Sequence, residues 1–334
     1  MTALDASADT TPSGSDMTPL VTRLFGWIML AVMVAFVANA YLTYWLDLPG
    51  ANNALTGNGG AMAFLQVGIY VAMAIFGALY VMSTRSRTLR EDSARISNIN
   101  VVFIRAAFWA VLLVGLADAF ISFLRVEGLL ESVFGSDLAS AFGRSNFRGT
   151  FVHMPLIGIS IIIAFFTRTL GFYWLALLVV MAELIIVIGR FIFSYEQAFM
   201  ADLVRFWYAA LFLFASAYTL LEEGHVRVDV FYAGLASRTK GWLNATGTLI
   251  FGIPLCWVIL MIGAGSKQSI IISPLLSFEV TQAGFGMYVK YMMAGFLAVF
   301  AISMLIQFVS YLLDAVADIR GEPGGRDHES HATA

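Results

Sequence analysis

The chain has 334 residues, 60% hydrophobic and 12% charged, with a formal net charge of -3 and a mean hydropathy of +0.82. Soluble domains carry roughly 45–50% apolar and about 25% charged residues, so too little polar surface remains to coat a water-soluble globule, and the bilayer is the solvent. The small net charge argues against a nucleic-acid partner, and the single cysteine, Cys256, excludes an internal disulfide or a thiolate metal cluster.

Residues 1–22 are rich in Thr, Ser, Ala and Asp and read as a disordered tail. About eight apolar segments follow, each near the length of a spanning helix, at 24–46, 62–83, 101–124, 150–167, 171–193, 203–221, 243–265 and 288–313. The stretch Ala38-Asn39-Ala40 has the small-residue pattern of a signal-peptide cleavage site. The acids Asp5, Asp9 and Asp16 before it, and hydrophobicity continuing through Leu46, weigh against cleavage. An arginine-rich loop at 84–100 separates the first pair of spans from the second, and 125–149 forms the longest loop on the opposite side. The turn Arg168-Thr169-Leu170-Gly171 is short enough to predict an antiparallel hairpin of the fourth and fifth spans.

Arg85, Arg87, Arg90 and Arg95 share one side with Arg168, Arg227, Arg238, Lys240 and Arg320. By the positive-inside rule that side is cytoplasmic. The reading is an all-α polytopic membrane protein of about eight helices with both termini in. It divides into a tail (1–22), an N-terminal four-helix extension (23–168), a second four-helix unit (169–316) and a disordered cytoplasmic tail (317–334). The absence of an internal repeat argues against an inverted-repeat transporter core.

Few residues invite a chemical role. Glu183 falls mid-span, where a bare carboxylate is costly. Arg190 lies two turns on along the same face, so the pair reads as a polar lock between helices or as part of an ion path. Asp118 and Ser122 stand one turn apart near the outer end of the third span, where Asp118 is expected to meet Arg125 or water. Asp202 and Arg205 suit a local pair at a helix start, or contact with an outside partner, and Glu279 has the same two readings. His225, Arg227 and Asp229 alternate with valines after the sixth span, putting three polar groups on one face of an extended segment. They read either as a docking element or as a solvated loop. The stretch 230–243 that follows is predicted to lie in the interface plane as an amphipathic helix. The chain lacks the paired intramembrane histidines of a b-type haem site, and it carries no hydrolase, kinase or phosphate-loop motif. No cofactor, metal site or enzymatic activity is expected.

Several of these residues also carry a family resemblance. Residues 188–193 (Ile-Gly-Arg-Phe-Ile-Phe), the acid Asp202, Gly224-His225-Val226-Arg227-Val228-Asp229, Gly247, Pro254 and Ser277-Phe278-Glu279-Val280-Thr281 resemble the small membrane subunit of a tripartite ATP-independent periplasmic (TRAP) transporter. The stretches 216–220 and 228–232 lean toward the branch associated with 2-oxo acids and similar organic anions. The resemblance implies a four-helix subunit of the bacterial inner membrane. Its partners would be a separate large permease subunit, which carries the substrate and sodium sites, a periplasmic binding protein and membrane lipids. It also implies that Arg190, Asp202, Arg205, His225, Arg227, Asp229 and Glu279 serve partner contacts or structure. The four extra helices depart from the family pattern and are expected to lie against the outside of the complex. The alternative function is a self-sufficient carrier or channel built on Asp118, Glu183 and Arg190.

Overall fold

The structure, a computed structural model, describes residues 17–168, 172–195, 197–221, 232, 234–280 and 286–324. Among them every regular element is helical, and eight helices are long and apolar enough to span a membrane. In chain order these are α1 (Thr18–Tyr44), a short α2 (Asn52–Leu55), α3 (Gly60–Ser83), α4 (Leu89–Val126), α5 (Leu130–Phe142), α6 (Ser145–Arg148), α7 (Met154–Phe166), α8 (Phe172–Phe193), α9 (Ala198–Leu221), α10 (Ser237–Gly247), α11 (Ile253–Gly263), α12 (Ile272–Ser277) and α13 (Lys290–Arg320).

Two spans are interrupted by a π-turn, at Gly149–His153 between α6 and α7 and at Thr248–Gly252 between α10 and α11. Each turn ends just before a proline, Pro155 or Pro254. Proline has no N–H to donate and crowds the carbonyl one turn back, and the wider π-turn accommodates both effects without breaking the span. Of the segment expected to lie flat at 230–243, residues 237–243 form the first turns of the helical run Ser237–Gly263, and residues 230, 231 and 233 lie outside the described residues.

The arginine-rich loop is shorter than expected because Thr88 caps α4. Its hydroxyl accepts from the Glu91 backbone N–H, and the Glu91 carboxylate accepts from the Thr88 N–H. This reciprocal box fixes the helix start and satisfies two otherwise orphaned donors. The result is a helix of 38 residues, about 57 Å long at 1.5 Å per residue. A hydrocarbon core is about 30 Å thick, so α4 crosses obliquely or projects beyond it.

The 31-residue α13 packs against α4, and these two helices are the beam of the molecule. The α1–α3 pair and α10–α11 gather along the first part of α4 and the last part of α13, and α7, α8 and α9 gather toward the other ends. Two apolar clusters follow that division. One joins Phe108, Val111, Leu175, Phe206, Phe214 and Phe296, and the other joins Met33, Ile96, Cys256, Leu305, Val309 and Leu313. Each draws on residues from both halves of the sequence, so the N-terminal helices share their core with the C-terminal ones. Contrary to the hairpin expectation, α7 lies on α4 while α8 lies on α9.

Candidate functional site: buried polar locks along the α4–α13 beam

Among the polar groups inside this apolar bundle, three sets tie α4 to another helix, and Asn39 and Gln66 form a further buried contact between α1 and α3. The first lies at the end opposite the chain termini, around Asp118, Arg148 and His153, all fully buried. Arg148 donates to Asp118 Oδ1 at 2.9 Å and to Ser122 Oγ at 3.1 Å, and its Nε donates to the Phe142 carbonyl at 2.6 Å. His153 Nε2 lies 3.3 Å from the same carboxylate oxygen, and its Nδ1 lies 2.8 Å from the Tyr291 hydroxyl. The second carboxylate oxygen accepts the Tyr288 backbone N–H at 2.7 Å. Asp118 on α4 therefore joins the α6–α7 span to the start of α13. The Tyr288 ring faces both Arg148 and Arg125, at 4.3 and 4.8 Å from the ring centroid, a geometry that favours the cations electrostatically. Arg125 goes to the Tyr288 hydroxyl and, at 2.9 Å, to the Gly286 carbonyl, rather than to Asp118 as expected.

The second set lies at the end that carries the termini. Arg23, 2% exposed, donates from Nε to Asp92 Oδ2 at 2.7 Å and from Nη2 to both oxygens of Thr84 at 2.9 Å. Trp27 donates to the same Asp92 oxygen at 2.9 Å. Close by, Arg90 pairs with Asp318 at 2.7 Å, tying the start of α4 to the end of α13. The third set runs between these helices. Ser93 and Ser97 hydroxyls lie 2.8 and 2.7 Å from Ser310 Oγ, Ser93 donates to Asp314 at 2.7 Å, and Asn100 donates to the Ser303 carbonyl at 2.9 Å. These groups repeat at helical spacing, 93, 97 and 100 on α4 against 303, 307, 310 and 314 on α13, so one face of each helix meets the other. With the membrane offering no water, pairing them internally avoids stranding polar groups in hydrocarbon.

Close backbone approach supports the same contacts. A Cβ on Gly115 would lie 2.5 Å from Trp207 Nε1, so only glycine admits the α9 indole against α4.

The residues singled out from the sequence scatter. Asp202 accepts the Met287 backbone N–H at 3.1 Å and pairs with Arg205 at 3.5 Å, while Arg205 remains largely exposed. Glu279 pairs with Lys290, and its carbonyl accepts the Tyr291 N–H at 3.0 Å. His225, Arg227 and Asp229 lie outside the described residues. The Glu183–Arg190 lock does not form. Both side chains are exposed on α8, and Glu183 makes no hydrogen bond or ion pair with any described residue. The seven-residue offset places the two groups about 10 Å apart along the helix axis, too far to close on a surface that turns outward. The structure therefore does not bring Asp118, Glu183 and Arg190 together. Two crevices, of about 640 Å³ beside α1 and α11 and about 510 Å³ between α4, α7 and α13, are lined by none of the three. Among the described residues no group of His, Cys, Asp and Glu has the arrangement of a metal site.

Residues 175–318 match the family model of the tripartite ATP-independent periplasmic transporters, DctQ component. They form a TRAP small permease unit. No curated protein and no solved structure matches the chain. The match runs from the first turn of α8 to the last turns of α13, which makes α1 to α7 an N-terminal addition to the small permease. The locks acquire a meaning from that boundary. Asp118–Arg148 draws the added α7 span onto α4, whereas the contacts of Asp118 and His153 with Tyr288 and Tyr291, the α4–α13 seam and Arg90–Asp318 all join the addition to the permease unit. The sequence reading missed Arg23, Asp92, Arg148, Tyr288 and Tyr291. Polar residues at helical spacing within apolar spans were the available signal for the seam.

Proposed function

We propose that this chain is the scaffold of a TRAP transporter. It holds a fixed wall against which a separate large permease subunit moves its substrate site, and its outer rim helps the periplasmic binding protein dock. The complex takes up organic anions, 2-oxo acids or other carboxylates, driven by an ion gradient. It resides in the bacterial inner membrane with both termini cytoplasmic, as the arginines at 85, 87, 90 and 95 suggest. The observation that carries the reading is the way the buried polar groups of the permease unit are used. Within its family-matched region Ser310, Gln307 and Tyr291 each pair with a side chain of the added helices. A wall needs helices that resist sliding, and interhelical polar pairs at both ends of a beam supply that resistance.

Reconstitution into liposomes tests this. The chain alone should give no uptake. Uptake should require the chain, the large permease subunit and the loaded binding protein together. Uptake by vesicles that contain only this chain would refute the scaffold and favour a self-contained carrier.

A further inference from the structure

Span α8 differs from its neighbours in how little of it the chain covers. Only 11% of its most apolar window is buried, against 56% for α13. Its inward face, Leu175, Val179 and Ala182, packs on α9. Its outward face carries Val180 (61% exposed), Val187 (48%) and Phe191 (79%), and in the middle of that stripe sits Glu183. The helix runs 22 residues from Phe172 to Phe193, about 33 Å, so Glu183 falls near the bilayer midplane. Glu183 makes no hydrogen bond or ion pair with any described residue, and intramembrane acids characteristically face a partner or a cavity.

We propose that the outward face of α8 is the surface on which the large permease subunit docks. Glu183 there accepts a hydrogen bond or ion pair from a cationic or hydroxyl side chain on a transmembrane helix of that subunit. The proposal rests on the scaffold reading and assigns it an anchor residue. Charge decides between occupants. A second copy of this chain would enter the membrane in the same orientation, so a symmetric α8–α8 contact would set Glu183 against Glu183 at one depth. Arg190 would then lie about 10 Å away along the axis. A symmetric contact therefore supplies Glu183 with no cationic or hydroxyl partner at its own depth, and lipid tails provide no donor. A different polytopic protein presenting a donor at mid-depth satisfies the carboxylate while covering the apolar stripe.

The test uses the full chain, tagged and co-expressed with the large permease subunit, and purified in mild detergent. Wild type should recover the large subunit in equimolar amount. Glu183→Leu should lower that recovery at least tenfold while the chain alone melts no lower than wild type, because an unpaired carboxylate has been removed. Glu183→Gln keeps an acceptor oxygen and should fall between the two. A photoactivatable benzoylphenylalanine at Val187, in an otherwise unaltered chain, should crosslink the large subunit, and this arm decides if Glu183→Leu fails to accumulate. Equal recovery with Glu183→Leu, or crosslinks from position 187 to lipid or to a second copy only, would overturn the anchor while wild-type recovery leaves the scaffold reading standing. Absence of the large subunit from wild-type preparations would overturn both.

Discussion

Replacing Asp118 with alanine removes one acceptor and strands three donors. Arg148 loses its ion pair at 2.9 Å, His153 its contact at 3.3 Å and the Tyr288 N–H its partner at 2.7 Å, and Asp118, Arg148 and His153 have zero solvent exposure. Breaking a buried pair by removing one member leaves an uncompensated charge and costs about 3–5 kcal/mol. For larger chains each kcal/mol moves the melting temperature by roughly 2–4 °C, so Asp118→Ala should melt on the order of 10 °C lower in detergent. Adding Arg148→Met removes the stranded cation as well, and the double variant should regain at least half of the loss. Asp47→Ala provides the contrast, because its pair with Lys267 is 74% and 49% exposed and surface pairs contribute about 0–1 kcal/mol. If Asp118→Ala melted no lower than Asp47→Ala, or if the double variant were worse than the single one, Asp118 would not be the anchor that joins these helices.

A Cβ on Gly241 would lie 2.7 Å from the Ala315 carbonyl oxygen, whereas one on Gly68 would meet nothing within 4 Å. Gly241→Ala should therefore cost about 1–3 kcal/mol by overpacking α10 against α13, while Gly68→Ala should be neutral or slightly stabilising on helix propensity. Thermal unfolding of the purified variants separates the two. Deleting residues through Arg168 removes α4 and bares the faces of α9 and α13 that it covers, including Ser310 and Gln307. The remaining permease unit should fail to accumulate as a monodisperse species on gel filtration, and a stable, fully active truncated protein would show the added helices to be dispensable.

Much of the fold is written locally. Segment length and hydropathy are properties of contiguous residues, which is why eight spans are legible and why their ends are less so. The start of α4 at Leu89 was readable in Thr88-x-x-Glu91, and its extension into the arginine-rich stretch follows from that box. The locks are not local. Arg23 meets Asp92, Asp118 meets Arg148 and Tyr288, and Ser93 meets Ser310, partners joined only once the helices have packed. Asp118 and Glu183 look alike in sequence, each one acid in an apolar run. Their fates differ because α4 is the most enclosed of the N-terminal helices and α8 turns half its surface outward. Helical periodicity tells which residues share a face, and only the neighbours decide whether that face looks in or out.

The claim that these helices act as a fixed wall is tested most directly by immobilising the beam. Ser93 and Ser310 hydroxyls lie 2.8 Å apart, so cysteines at both positions, in a chain with Cys256 replaced, are placed to be joined by oxidation or a short crosslinker. With α4 and α13 covalently fixed, uptake by the complete reconstituted complex should equal that of the reduced form. Loss of uptake on crosslinking, restored by reductant, would mean that the seam moves during transport and that the wall is part of the machine.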